Sequence, residues 1–150
     1  MILVSAGDPI TAADINRAAT KVIGIGESTS SQTAVGSTSN TLMDSITVTL
    51  VAGRAYWVYT YVPYQGNTAN DNFYVLMYED STSGTQMTYR TVRILQTTRV
   101  AATTLRRRYV AAASGSKTFV TAFRRADGSG TFQPVGATGQ VRILSVESAD

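Results

Sequence analysis

The 150-residue chain has no histidine and no cysteine. The commonest general base at neutral pH, the commonest transition-metal ligand and the thiolate nucleophile leave with them. A disulfide scaffold, a zinc centre and a histidine-based triad are excluded on the same ground. Charge is scarce too, at 15% of residues against about 25% in an ordinary globular chain. Lysine is almost missing: only Lys21 and Lys117 join the arginines behind a net charge of +3. Arginine forks hydrogen-bond carboxylates and stack on tyrosine, so this bias fits an interface better than plain solubility. No run approaches the ~20 apolar residues of a membrane-spanning helix. The opening MILVSAGDP lacks the basic stretch of a signal peptide. We expect a soluble protein made in the cytoplasm, with no membrane partner.

What the chain does have is threonine, serine, tyrosine and short alternating runs, within a 43% hydrophobic composition. At this length one domain would remove about 68–70% of the unfolded surface from water, enough core to stand without staples. The segment DPITAADINRAATKV carries a helix start: Thr11 as N-cap, Asp14 three residues on, and Ile10 with Ile15 as a hydrophobic staple. Arg17 and Lys21 agree with the helix dipole. A helix of two to three turns is too short to stand alone, so it must dock on something. Residues 27–41 are small and polar and read as a loop or weak edge.

Strands follow. In SITVTLVAG, Ile46, Val48 and Leu50 share a face. In AYWVYTYVPY both faces are bulky, Tyr56, Val58, Thr60 and Val62 opposing Trp57, Tyr59 and Tyr61, and Pro63 should end the strand or place it at an edge. FYVLMYED puts Phe73, Val75, Met77 and Glu79 together, and KTFVTAF sets Phe119, Thr121 and Phe123 against Val120 and Ala122. The last strand, GQVRILSVES, shows Val141 and Ile143 as its apolar face, with Ser145 or Val146 depending on a slip. Strands at this spacing with Gly, Ser, Asn and Asp between them predict an all-β fold. The expectation is a roughly eight-stranded antiparallel β-sandwich, jelly-roll-like, with an N-terminal arm and one short helix. Residues 1–26 form the docking segment and 27–150 the sandwich. Strand order stays open between a jelly roll and an immunoglobulin-like arrangement.

Catalytic readings find little to rest on. Glu79 and Asp80 are adjacent on a strand end and should point to opposite faces, so they cannot flank one glycosidic bond. A serine–lysine pair would need Lys21, at a helix end, or Lys117, in an expected turn. Calcium at Asn70–Asn72 or Asp127 competes with ordinary turn roles. Gly24-x-Gly26 is a fragment of a phosphate-binding pattern without its third glycine. We expect no enzyme, no cofactor and no metal.

Arg106-Arg107-Arg108 has the look of a nucleic-acid footprint, but a period of two sends Arg106 and Arg108 one way and Arg107 the other. Salt bridges to an acidic neighbour suit the trio better. The stretch Tyr56–Tyr64 is the densest in aromatics; packing, protein contact and a glycan surface all use such residues. The candidate partner-facing residues are therefore Ile10, Ile15, Arg17, Tyr59, Tyr61, Arg106 and Arg108.

The opening GDPITAADINRA resembles a short leader of virion proteins in tailed phages of actinobacteria. ITVTLVAGRAYWVYTYVPYQ, YEDSTSGTQM and SGSKTFVTAFRRADGSGT are similar to a β-sandwich module of those phages' capsid-decoration, head-fibre and minor tail proteins. The resemblance covers most of the chain, through motifs that are structural and not chemical. It implies a virion location and a non-enzymatic role: a capsid decoration (cement) protein stabilising the shell. A minor tail protein and a carbohydrate-binding host-adhesion module are the alternatives. Implied partners are the major capsid protein or tail proteins and further copies of the chain, a trimer above other symmetries, with glycan as the alternative ligand and nucleic acid not expected.

Overall fold

Valine, threonine and aromatic residues at a period of two make the strands of this chain. The computed structural model describes residues 21–97, 99–137 and 139–149. Among these lie β1 (Val22–Ser28), β2 (Thr41–Leu50), β3 (Ala55–Gly66), β4 (Asn72–Glu79), β5 (Gln86–Arg93), β6 (Ala101–Val110), β7 (Gly115–Arg125), β8 (Phe132–Pro134) and β9 (Arg142–Ser148). Most of the expected helix, with Ile10, Ile15 and Arg17, lies outside the described residues; at its expected end Lys21 is not helical and Val22 opens a strand, because that stretch pairs with β9. The strand beyond the eight expected is three-residue β8. β1 crosses the expected division at residue 26, so Val22 already belongs to the sandwich.

Every pairing is antiparallel, and the strands form two open sheets. The front sheet runs β1-β9-β3-β6, with β8 against the far end of β3; the back sheet runs β2-β7-β4-β5. The pairs nest: β1 with β9, β2 with β7, β3 with β6, and β4 with β5 about the Ser81–Gly84 turn. At the two sides of the sandwich β1 meets β2 and β5 meets β6.

Alternation decides what the sheets enclose. The front sheet contributes Tyr56, Val58, Val62, Tyr64, Leu105, Leu144 and Val146; the back sheet contributes Met43, Val48, Leu50, Phe73, Val75, Met77, Val92, Phe119 and Phe123. Two of the buried polar residues in these rows, Thr60 and Thr121, are satisfied by neighbouring strands, as burial demands. Thr60 donates to the Ile143 carbonyl at 2.8 Å, and Thr121 Oγ1 accepts the Asp44 amide at 3.2 Å where β2 bulges. Leu76, Tyr78, Val120 and Ala122 form a second apolar cluster on the outward face of the back sheet.

Two strand expectations need correction. Pro63 neither ends β3 nor lies on a sheet edge: β3 continues to Gly66, with β6 on one side and first β9, then β8, on the other. β9 stops pairing with β3 at Tyr61 and β8 begins at Tyr64, so the proline's missing N–H falls in the gap between two partners. Its carbonyl points into that gap and accepts the Val135 amide at 2.8 Å. In β9 it is Leu144 and Val146 that enter the core, while Ile143 turns outward beside Tyr61. The register set by β3 outweighs the apolar pattern of β9 alone.

Two groups couple folding to alkaline pH. Burial pushes the Tyr64 phenol up, and the Arg90 charge draws it part of the way back. The hydrogen bond to Glu79 holds the Lys117 ammonium well above the usual lysine range. A raised pKa in the folded chain means stability that is complete below the unfolded value and falls as pH rises through the folded one. We expect thermal melts to decline above about pH 10, and less steeply in Tyr64→Phe. An identical decline in the variant would show that Tyr64 does not contribute.

Candidate interaction face

Four of the seven predicted residues, Tyr59, Tyr61, Arg106 and Arg108, lie on the outward side of the front sheet. Register places them in three rows running across β1, β9, β3 and β6. The first is Val22, Glu147, Trp57 and Arg108; the second is Ile25, Ser145, Tyr59 and Arg106; the third is Glu27, Ile143, Tyr61 and Thr104. Strands lie about 4.8 Å apart and successive rows about 6.8 Å, which makes a patch wide enough for a protein or glycan contact. Tyr59, Tyr61, Arg106 and Arg108 are therefore brought together, and Arg107 is turned the other way beside Val58 as its period requires.

The face has chemistry of its own. Trp57, Tyr59 and Tyr61 are half-buried, whereas Arg106 and Arg108 are exposed. Arg106 leans diagonally from its place opposite Tyr59 and sits 4.1 Å above the centre of the Trp57 ring. That contact is worth about 0.5–1 kcal/mol at an exposed site and holds both side chains in one arrangement. Among the described residues, Lys117 and Arg142 are the cations with a carboxylate within ion-pair distance, so Arg106 and Arg108 keep their forks unpaired. Neither the Tyr59 nor the Tyr61 hydroxyl bonds to a described residue. Beyond the aromatics, Val22 (51% exposed) and Ile25 (55% exposed) place open apolar surface on the opposite edge, with Glu27 and Glu147. The face thus runs from acidic and aliphatic on β1 and β9, through aromatic on β3, to basic on β6.

Elsewhere the candidate chemistry resolves into structure. Glu79 and Asp80 do not diverge. Asp80 leaves the strand conformation with φ of 67°, and both carboxylates reach Lys117 Nζ, at 2.8 and 2.9 Å. Lys117 sits within β7, not in a turn. Asp71 accepts the amides of Ser129 and Gly130, and Asp127 accepts from Asn72, so both carboxylates hold the turns at the ends of β4 and β7. Gly24 belongs to β1; a Cβ there would lie 2.5 Å from Val48 Cγ1, so the glycine serves the close approach of β1 and β2. Among the described residues no three acidic side chains gather in one place.

The ion pair that sequence reading missed joins the sheets. Arg142, only 3% exposed, lays its fork on Asp44, with Nε at 3.0 Å from Oδ2 and Nη2 at 3.2 Å from Oδ1. Its Nη1 donates to the Ser30 carbonyl and Ser28 donates to Asp44. Nothing local marks these residues, because they lie 98 positions apart.

Compared with the patterns of known protein families and with curated proteins, the chain matches none.

Proposed function

We propose that this chain is a virion structural protein of a tailed phage, a capsid decoration subunit that seals against neighbours through the outward face of the front sheet. The observation that carries the reading is the run of half-buried aromatics flanked by arginines that have no carboxylate partner among the described residues. Aromatic and arginine side chains are enriched at the energetic centres of protein contacts, and carboxylates on a partner would complete the forks. The nested pairing of β1 to β9 around the Ser81–Gly84 turn supports the jelly-roll arrangement once short β8 is set aside.

The partners are the major capsid protein and further copies of the chain. The acidic side at Glu27 and Glu147 and the basic side at Arg106 and Arg108 are complementary across the same face. Head-to-tail contact of the two sides closes a ring when the rotation allows, and a trimer is the smallest such ring. A minor tail subunit would use the same surface at another position in the particle.

The test is an imaged particle together with solution mass. Wild-type chain should give density on the shell and an oligomer by light scattering. The pair Arg106→Glu with Arg108→Glu should remain folded, fall to a monomer and lose at least tenfold in particle incorporation, as for two charge-assisted contacts removed at once. A chain that never co-sediments with particles, or that turns over a compound at an enzyme-like rate, overturns the reading. Clear Trp57-dependent binding on a glycan array would transfer the face to host adhesion.

A further inference from the structure

Residues 81–126 contain nine arginine or lysine side chains and no aspartate or glutamate. The fold gathers much of that charge, because β5 and β6 are the edge strands on the same side of the sandwich. Arg90 and Arg93 come from β5, Arg106 to Arg108 from β6, and Arg99 from the connection between them. None of these six has a carboxylate within ion-pair distance among the described residues. A field of one sign along an edge raises the local concentration of anions there.

At one end of that edge lies a cleft of about 500 Å³, between the β5–β6 connection and the far end of β3. That volume falls in the range of small-ligand sites. Arg93 and Arg99 line it with Tyr64, Ile94, Leu95 and Val100. Ile94 is buried and closes the floor against Gly66, where a Cβ would lie 2.5 Å from Ile94 Cγ1. Arg93 is held from outside, its Nη2 donating to Asn70 at 2.9 Å, which leaves other N–H groups of the fork for a ligand. Among the described residues the lining contains no acid.

We propose that this cleft binds the carboxylate-bearing ring of an acidic saccharide. The two arginines supply planar forks that match a carboxylate. Ile94, Leu95 and Val100 supply an apolar wall for the C–H face of a sugar ring. The rim is wet, with Leu95 76% exposed, so hydroxyls stay solvated and a wholly apolar ligand would find little shelter. Tyr64, the aromatic among the described lining residues, is spent on packing: its ring stacks on Phe132 at 5.1 Å and is not free to receive a nucleobase. The site lies apart from the Trp57 row and does not depend on the role proposed for that face.

The experiment uses the purified chain and short oligomers of glucuronate, with glucose oligomers of equal length as the neutral probe, followed by calorimetry and amide chemical shifts. Glucuronate should bind, shift the amides of Gly66, Ile94 and Leu95, and weaken as salt is raised. Arg93→Gln and Arg99→Gln should each lower affinity by about tenfold, as loss of a charge-assisted bond does, while Arg54→Gln, exposed at the opposite end of β3, leaves it unchanged. The proposal is overturned by equal binding of the neutral oligomer, by shifts mapping elsewhere, or by no glucuronate binding at millimolar concentration. Arg99 is exposed on a connection, so Arg99→Gln reports on the ligand even if Arg93→Gln perturbs β5.

Discussion

Arg142→Met will lower the unfolding free energy by about 3–5 kcal/mol, the loss that follows when one partner of a buried pair is removed. The cost comes from what is left behind. Asp44, whose side chain is 11% exposed, would be left, among the described residues, with the Ser28 hydroxyl as the donor to its carboxylate. The Ser30 carbonyl would lose its donor as well. The pair also ties β9 of the front sheet to β2 of the back sheet, so the loss acts on the joint between layers. Replacing Asp44 by leucine in the same chain should recover at least half of the loss, because two apolar side chains of similar bulk often do as well as a buried ion pair. Urea unfolding of the single and double variants measures both numbers. A single-variant loss below about 1 kcal/mol would mean that water reaches the pair and screens it.

Phe132→Ala should cost as much, about 3–5 kcal/mol. Phe132 has no exposed surface, and its ring meets Tyr64, Phe73 and Phe123 at centroid distances of 5.1, 5.2 and 5.2 Å. Those partners come from β3, β4 and β7, so one side chain closes the contact between both sheets at that end. Its backbone is committed too: the amide and carbonyl exchange hydrogen bonds with Val35 at 3.0 Å, and β8 pairs with the end of β3. Rigid neighbours on several sides leave the cavity little room to collapse, which places the effect at the upper end of the range. Domains of this size are stable by about 5–15 kcal/mol, so the alanine variant should sit near the edge of folding. Phe132→Leu should lose less than half as much. Equal thermal midpoints for wild type and Phe132→Ala would contradict the packing described.

How much of this could be seen beforehand varied with the kind of strand. β3, β4 and β7 were legible because runs of aromatic and β-branched residues between turn clusters read as pleated segments, whose side chains alternate between two faces. The same alternation separated Arg107 from Arg106 and Arg108. β8 was not legible: Phe132, Gln133 and Pro134 are too few for a period, and their partners Gly66 and Val35 are distant in sequence. Nor was Lys117, whose residence in β7 comes from pairing with Val48, or Asp80, whose left-handed backbone turns its carboxylate to the same side as Glu79. The apolar pattern of β9 points to the wrong face because its two sides are nearly equally apolar, and only the register against β3 distinguishes them.

Composition and period alone determined that this chain builds a β-domain without histidine or thiol chemistry, and which residues of each long strand share a side. Those properties are local, set by the two-residue repeat of the backbone. Tertiary structure alone decided that Trp57, Tyr59 and Tyr61 stand between a pair of glutamates and a pair of arginines, that Arg142 meets Asp44, and that β5 and β6 merge into one basic edge around a cleft. Each of these joins segments far apart along the chain, and strand order, which no single segment encodes, brings them into contact.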